Sequence, residues 1–566
     1  MNDNSSENIR GSLPNDAVND AGLKSESAPY RNQQQPDRIS PQAEVFSLTL
    51  RAGDRTLLDD TSARFEKGKI SLIVGPSGVG KSLLLKILAG IQLPDADGIQ
   101  FEGVVNIEGS QTRAGRSAVV FQTFALLDEF SPTANVQFAV SHRSEKGASS
   151  ENSKPLPRSS KLLEELDVPT TVPTSRLSGG QRQRLAIARA LAYGKSTIFF
   201  DEPTAGLDIG TARKVAGLIR ETTENHGTTA IIVTHDYESL VPIADEIYFL
   251  DPTTKKLELV SSEDWKNLPT RLEKLSATSS HLEDEVAKKK KGLLGAAGEF
   301  GKKFAIGTTR CLEEVLLLPY RLLPLWRSPI WGLKFLFHFL NLITGVTAII
   351  YLMVAGLILG FVTTYFTFEY LPFPQFSRPL IIEDILAAVG FGLYRIIIPV
   401  IGTVLIAARC GSAVTADIGS KEYGRQLDAM RSLNATPEKY LLTNILFSFL
   451  VGTPLLIYIA FQTARAISLI VFLSLEGNES ADFWHQFFHR NLAIEGAFYY
   501  AGTGWVLMKV LICGLGVGII AYGVGVQPKL SSNDVSRSVT QTTLYSTIFV
   551  LTVHFVFAFF EFQRLE

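Results

Sequence analysis

The sequence is poor in cysteine. Its three cysteines, Cys311, Cys410 and Cys513, stand far apart in 566 residues with no pairing pattern, which argues against a disulfide framework or a zinc site. Net charge is also nearly missing: 54 basic and 56 acidic side chains leave −2 at pH 7. No global attraction to a polyanion such as nucleic acid follows from that balance. The opening MNDNSSENIRGSLPNDAVND has no apolar core, so a cleaved signal peptide is not expected. Residues 1–43 are polar, rich in Asn, Ser, Asp and Gln, and read as a disordered tail without chemistry. The chain is too long for one ordinary domain. Its near-neutral average hides two unlike halves. Charges are spread throughout up to about Lys303, whereas Leu, Ile, Val, Phe and Gly dominate from about Cys311 to Phe562.

In the charged half, ISLIVGPSGVGKSLLLKILAG opens with an apolar run, Ile70 to Val74, that reads as a buried strand. After Lys81 the apolar residues Leu83, Leu84, Ile87 and Leu88 recur at helical spacing. Between strand and helix lies Gly75, Pro76, Ser77, Gly78, Val79, Gly80, Lys81, Ser82, which fits G-x-x-x-x-G-K-[ST]. Glycines let the backbone curl so that its N–H groups face an anion, and the helix start adds a positive dipole end. Lys81 is then placed for β- and γ-phosphates, and the Ser82 hydroxyl for Mg²⁺.

Two further pieces belong to such a site. TIFFDEP is an apolar strand ending in Asp201 and Glu202. Asp201 is expected beside the Mg²⁺ shell and Glu202 against the attacking water. LSGGQRQRLAIARALA begins a helix at Ser178, Gly179, Gly180 and Gln181, a second helix start suited to an anion.

LSGGQ resembles the signature motif of the ABC-transporter ATPases, and other residues agree with that likeness over about Glu44 to Val260. Gln122 resembles the Q-loop glutamine, a nucleotide and Mg²⁺ contact. Asp208 in AGLD resembles the D-loop aspartate, and His235 in IIVTHD the switch histidine. The resemblance implies an α/β P-loop domain at 44–260 that hydrolyses ATP with Mg²⁺, with Glu202 and His235 as the catalytic pair. It also implies that each ATP is sandwiched between two such domains. This chain carries one, so a homodimer is expected, with Ser178 to Gln181 reaching the partner's ATP. One part departs from the family. Arg51 and Ala52 stand where an aromatic residue would stack on adenine, and Phe46 or Arg51 is left to replace it.

Residues 261–310 read as a charged linker, with the basic run KKKKG at 288–292 suited to anionic headgroups. Cys311 to Leu340 mixes apolar residues with Arg321, Arg327, Lys334, His338, Trp326 and Trp331, the pattern of an interfacial helix. Five stretches beyond it are apolar enough to span a bilayer: about 343–366, 385–408, 440–475, 503–526 and 540–562. The third is too long for one straight crossing. Positive charge favours the connections 409–439 and 527–539 on the cytoplasmic side, and the acidic segment 476–502 opposite.

The connection ARCGSAVTADIGSKEYGRQLDAM gathers Arg409, Asp417, Lys421, Glu422, Arg425 and Asp428 on the ATPase side. Its small residues permit close helix packing, and its charged part offers the ATPase a surface to grip. The span residues with charge or imidazole are Arg395, Arg465, Lys509 and His554. Lys509 is expected to snorkel to the surface. Arg395 lies deeper, with a partner inside the bundle or a lipid phosphate as its two prospects.

Residues 311–566 resemble the MlaE permease family, the membrane partners of MCE-domain lipid transport systems. Pro399, Arg409, Gly411, Ala416, Gly419, Gln426, Asp428, Ala429, Pro437 and Tyr440 carry the likeness. Ile396, Asp417 and Arg425 replace glutamates usual in the family. The resemblance implies an all-α permease moving phospholipid or another apolar lipid at the inner membrane, with an MCE-domain protein as a partner on the outer side and no nucleic acid involved. A non-transporting mechanotransmitter and an exporter of another hydrophobic substrate are the rival expectations.

Overall fold

The computed structural model describes residues 41–53, 55–92, 99–143, 159–235, 237–272, 317–370, 374–494, 496 and 499–562. The tail before residue 41, the lysine run at 288–292 and the first residues of the expected interfacial segment lie outside these.

Two sheets make the first half. Strands β1 (Ala43–Ala52), β2 (Arg55–Phe65), β4 (Ile99–Ile107) and β5 (Ser110–Gln111) form an antiparallel sheet in the order β2-β1-β4-β5. The second sheet runs β10-β9-β3-β8-β7-β6. In it β3 (Ile70–Val74), β6 (Ala118–Val120), β7 (Thr197–Asp201), β8 (Thr229–Thr234) and β9 (Glu246–Asp251) are parallel, and β10 (Lys256–Val260) closes one edge antiparallel. Strands β3, β7 and β8 are buried on both faces, which explains their unbroken apolar runs. Ile70, Leu72 and Val74 face one core, while Ile73 faces the other, shared with the antiparallel sheet. Helices α1 (Lys81–Leu88), α2 (Pro132–Ser141), α3 (Ser159–Glu165), α4 (Gly179–Tyr193) and α5 (Ile209–His226) complete this half.

The second half is helical, and five of its helical stretches are long and apolar enough to cross a membrane. Helix α6 (Pro329–Thr344) precedes α7 (Val346–Glu369) and is parted from it by the extended Gly345. Next come α8 (Pro374–Gly392), a π turn (Leu393–Ile397), α9 (Ile398–Ile406), a second π turn (Ala407–Gly411) and α10 (Ser412–Tyr423). The short α11 (Gln426–Ser432) follows a reversal at Arg425, a non-glycine residue at φ 58°. Then α12 (Thr443–Leu475), α13 (Ala481–Phe488), α14 (Thr503–Gly525) and α15 (Ser532–Phe562) complete the bundle. Helix α12 keeps its 33 residues through Pro454. At 1.5 Å per residue it is about 50 Å long, well beyond a ~30 Å hydrocarbon core, so it extends past the membrane.

Helices α7 and α12 meet along a seam of small residues. A Cβ on Gly356 would lie 2.3 Å from the Ala460 carbonyl oxygen, and one on Gly360 2.3 Å from that of Ala464. One turn further, the Thr364 hydroxyl donates to Ser468 Oγ at 2.7 Å in the buried interior. The repeat of four on both helices is the small-xxx-small pattern of close membrane packing.

Lys509 does not snorkel. It is buried, and its ammonium meets Glu561 Oε2 at 2.6 Å and donates to the Arg395 carbonyl at 3.0 Å. Arg395 meets the other carboxylate oxygen of Glu561 at 2.7 Å. The carboxylate at the end of α15 holds both cations within the bundle because an unpaired charge there costs more than the reach to a partner. His554 and Thr403 form a further buried bond at 2.9 Å.

Candidate nucleotide site

The neighbours β3, β8 and β7 bring three chain segments to one sheet edge. The P-loop follows β3, His235 follows β8, and Glu202 follows β7, with Val74 in register with Thr234 and Asp201 with Val233. Ligands of open α/β sheets bind outside such carboxyl ends. Gly78 and Gly80 take φ values of 76° and 101°, which a side chain would strain. No side chain caps α1 at Gly80, so its first N–H groups are left for a ligand.

Lys81 is buried and donates to the carbonyls of Gly75 at 2.9 Å and Pro76 at 3.0 Å. Burial pushes its ammonium pKa down, against the raising influence of Glu202 and Asp201. Ser82 Oγ donates to Asp201 Oδ1 at 2.8 Å. Burial raises the Asp201 carboxyl above its ordinary range despite that bond, so a cation at this point would relieve the site. A hydroxyl and a carboxylate, completed by phosphate oxygens, form an all-oxygen donor set suited to a hard divalent ion. Gln122 lies exposed at the end of β6 and Phe121.

Glu202 sits at φ 49°, and its Oε2 accepts from Thr234 Oγ1 at 3.3 Å, from the His235 N–H at 3.2 Å, and meets His235 Nδ1 at 2.7 Å. Its other oxygen lies 3.9 Å from the Lys81 ammonium. Glutamate, histidine and lysine thus form one cluster at the strand ends.

Ser178 caps α4, accepting from the Gln181 N–H at 3.3 Å while Gln181 Oε1 accepts from the Ser178 N–H at 3.0 Å. Ser178, Gly179 and Gly180 are exposed and Gln181 is half-buried, and a Cβ on either glycine would meet nothing within 4 Å. Asp208 caps α5 through the Thr211 N–H at 3.0 Å and hydroxyl at 2.7 Å, which lower its carboxyl pKa. Beside it Ile209 is 71% exposed. The signature and D-loop therefore face outward, apart from the P-loop cluster. Arg51 and Phe46 lie exposed on β1, with Phe46 opposite Val104 of β4.

The helical half grips this domain through α11. Asp428 Oδ2 lies 2.6 Å from the ammonium of Lys86, in the last turn of the P-loop helix α1. Burial would raise the Asp428 carboxyl pKa, but Lys86, then Arg431 and Arg425, bring it below its ordinary value. Gln426 Nε2 donates to Asp128 Oδ2 at 3.2 Å, and the other oxygen of Asp128 meets Arg182 of the signature helix at 2.7 Å. Lys421 pairs with Glu129 at 3.3 Å and with Asp417 at 2.8 Å. Ala429 joins the core between the two sheets. Of the charges expected on this surface, Arg409 instead turns to the Leu342 carbonyl and the Thr347 hydroxyl. A second contact carries no charge: His142 Nε2 lies 2.6 Å from the Tyr440 hydroxyl, among Phe130, Phe138, Trp331 and Phe335.

Comparison with known proteins agrees with both halves. Residues 58–205 match the family described as ABC transporter, and residues 341–560 match permease MlaE. The intermembrane phospholipid transport system ATP-binding protein MlaF of Haemophilus influenzae is 35% identical over 216 residues, 37% of this chain and 79% of that protein. The sulfate/thiosulfate import ATP-binding protein CysA 2 of Chromobacterium violaceum is 33% identical over 215 residues, 38% of this chain, which spans only 57% of that relative's length. The aliphatic sulfonates import ATP-binding protein SsuB 2 of Burkholderia lata is 34% identical, over 36% of this chain and 71% of the relative. A solved dimeric bacterial ABC transporter cassette aligns at 27% identity over 38% of this chain and 96% of its own, with a TM-score of 0.32. The chain belongs to the ABC transporters, with an ATP-hydrolysing cassette fused ahead of an MlaE permease domain and five helical stretches able to span a membrane.

Proposed function

We propose that this protein is an ATP-driven lipid transporter of the inner membrane that works as a homodimer, with its ATPase domain in the cytoplasm. The observation that carries the reading is the seating of α11. In one chain it touches the P-loop helix through Lys86–Asp428 and the signature helix through Gln426–Asp128–Arg182. In a sandwich dimer those two helices serve different nucleotides, so α11 feels both.

ATP phosphates would be held by the N–H groups of Gly75 to Ser82 and by Lys81, which would exchange its loop carbonyls for phosphate oxygens. Ser82, Asp201 and Gln122 would hold Mg²⁺, which neutralises charge developing on the phosphates. Glu202 would orient the attacking water and accept its proton. His235, held by Glu202, would contact the γ-phosphate. Ser178, Gly179, Gly180, Gln181 and Asp208 would face the nucleotide of the partner copy, and the exposed Ile209 supports an interface there. Closing on ATP would draw the two α11 helices together and reshape the space between the two permease halves, and hydrolysis would reset it. The MlaF likeness favours phospholipid as cargo, and the MlaE likeness an MCE-domain protein on the outer side.

Proteoliposomes carrying a headgroup-labelled phospholipid test the reading. Mg²⁺ and ATP should change the fraction of label open to a membrane-impermeant quencher with wild type and not with Glu202→Gln. Unchanged label during steady ATP hydrolysis would favour a mechanotransmitter instead.

A further inference from the structure

A cavity of about 400 Å³ opens where the chain enters α6, lined by Trp326, Arg327, Asn434, Thr436, Lys439 and Tyr440. We propose that it binds the phosphate of an anionic lipid headgroup from the leaflet on the ATPase side, separately from any transported lipid.

Four observations carry this. First, the cavity has two cations and neither is neutralised. Among the described residues, neither Arg327 nor Lys439 makes an ion pair, and Arg327 spends one donor on the Arg143 carbonyl at 3.0 Å. More positive charge stands behind it. Arg143, Arg116 and Arg327 all act on the ammonium of Lys195, whose pKa falls through burial first and despite Glu108. Second, the Trp326 indole N–H is buried without a hydrogen-bond partner. The ring is fixed over Gly332, where a Cβ would strike it at 2.1 Å. Trp326 lines the cavity, so an unused donor stands beside its two cations, where an anionic oxygen would satisfy it. Third, the surroundings locate the bilayer surface. Leu323, Leu325, Ile330, Leu333 and Phe337 present apolar side chains to the outside on the same stretch. Arg143 and His142 of the ATPase domain bound the other side. A headgroup in the cavity would leave its acyl chains against those apolar residues, with Trp326 and Tyr440 at the depth such side chains favour. Fourth, the volume falls in the range of small-ligand sites.

The site borders the His142–Tyr440–Ser328 hydrogen bonds that tie the ATPase domain to α6 and to the π turn Glu438–Leu442 that precedes α12. A bound lipid would brace that joint.

The test is calorimetric titration of the purified full-length protein in a neutral detergent with dioctanoyl phosphatidylglycerol, dioctanoylglycerol and inorganic phosphate. Wild type should bind the anionic lipid at one more site per chain than Arg327→Gln/Lys439→Gln, or about tenfold or more tightly, because each cation near a headgroup adds to the attraction. Lys439→Glu, which keeps the cavity and reverses one charge, should weaken binding likewise while ATP hydrolysis shows the fold intact. Equal binding by wild type and both variants would overturn the proposal. So would binding of dioctanoylglycerol as tight as that of the anionic lipid, or full displacement by inorganic phosphate at matched concentration, which would make the site one for free phosphate. A transport assay that failed would leave this comparison of variants standing.

Discussion

The ammonium of Lys86, on the P-loop helix, lies 2.6 Å from the carboxylate of Asp428, on the permease helix α11. The nucleotide-binding element and the membrane domain are thus in direct ionic contact, with both side chains largely shielded from water. Removing one partner of a buried pair strands the other and costs about 3–5 kcal/mol. Asp428→Ala should therefore lower the melting temperature and, on the proposed function, uncouple lipid movement from ATP hydrolysis. The double exchange Lys86→Asp/Asp428→Lys should recover only part of the loss, because Arg431 and Arg425 also face position 428. A double-mutant cycle on thermal stability checks the pairing.

Glu202 and Lys81 should separate chemistry from binding. Glu202→Gln keeps the shape of the site and removes the proton acceptor, so kcat should fall by about 10²–10⁴ while ATP still binds. Lys81→Ala should instead abolish binding. Equilibrium ATP binding beside steady-state hydrolysis distinguishes the two.

His142 predicts a pH dependence at the joint between domains. Burial pushes its imidazole pKa down to about 4, against the raising effect of the Phe138 carbonyl and with a smaller contribution from Arg327. The ring is neutral in the folded protein. Nδ1–H donates to that carbonyl at 2.8 Å, and Nε2 accepts from Tyr440. Between the unfolded value near 6.5 and about 4 the unfolded chain binds a proton that the folded chain refuses. Stability is whole above pH 6.5 and falls as pH drops, by about 2 kcal/mol at pH 5. Thermal melts of wild type and His142→Gln between pH 7 and pH 5 should converge as the pH falls.

The α7–α12 seam predicts a steric penalty. Gly360→Val would drive methyl groups onto the Ala464 backbone, and overpacking of this kind costs about 1–3 kcal/mol. Gly504→Val, at a site with open space, should cost little. Unfolding in mild detergent compares them.

Glu561→Gln should destabilise the bundle more than Arg465→Gln, because it leaves Lys509 and Arg395 facing each other without their shared carboxylate. Detergent-solubilised yield and melting temperature read this.

The nucleotide site was legible because its chemistry is local. Ile70 to Leu88 carry strand, loop and helix in one short stretch, and the strands just before Glu202 and His235 announce themselves by unbroken apolar runs. The contact surface at 408–430 was legible from charge between two spans. What carries its energy was not. Lys86 and Asp128 look like ordinary surface charges until the fold sets them against α11. Lys509 seemed placed to snorkel because its partner, Glu561, comes from a helix 52 residues onward. The Gly356–Gly360 seam needs the matching alanines of α12, which only packing reveals. His142 and Tyr440 are 298 residues apart, and no periodicity links them.

Native mass spectrometry with identification of co-purified lipid tests most directly the claim that two copies close on ATP and drive lipid out. A complex of two chains should retain phospholipid without nucleotide and shed it when Glu202→Gln is held in ATP. A two-chain complex with the same lipid content in every nucleotide state, or a single chain that still hydrolyses ATP, would contradict it.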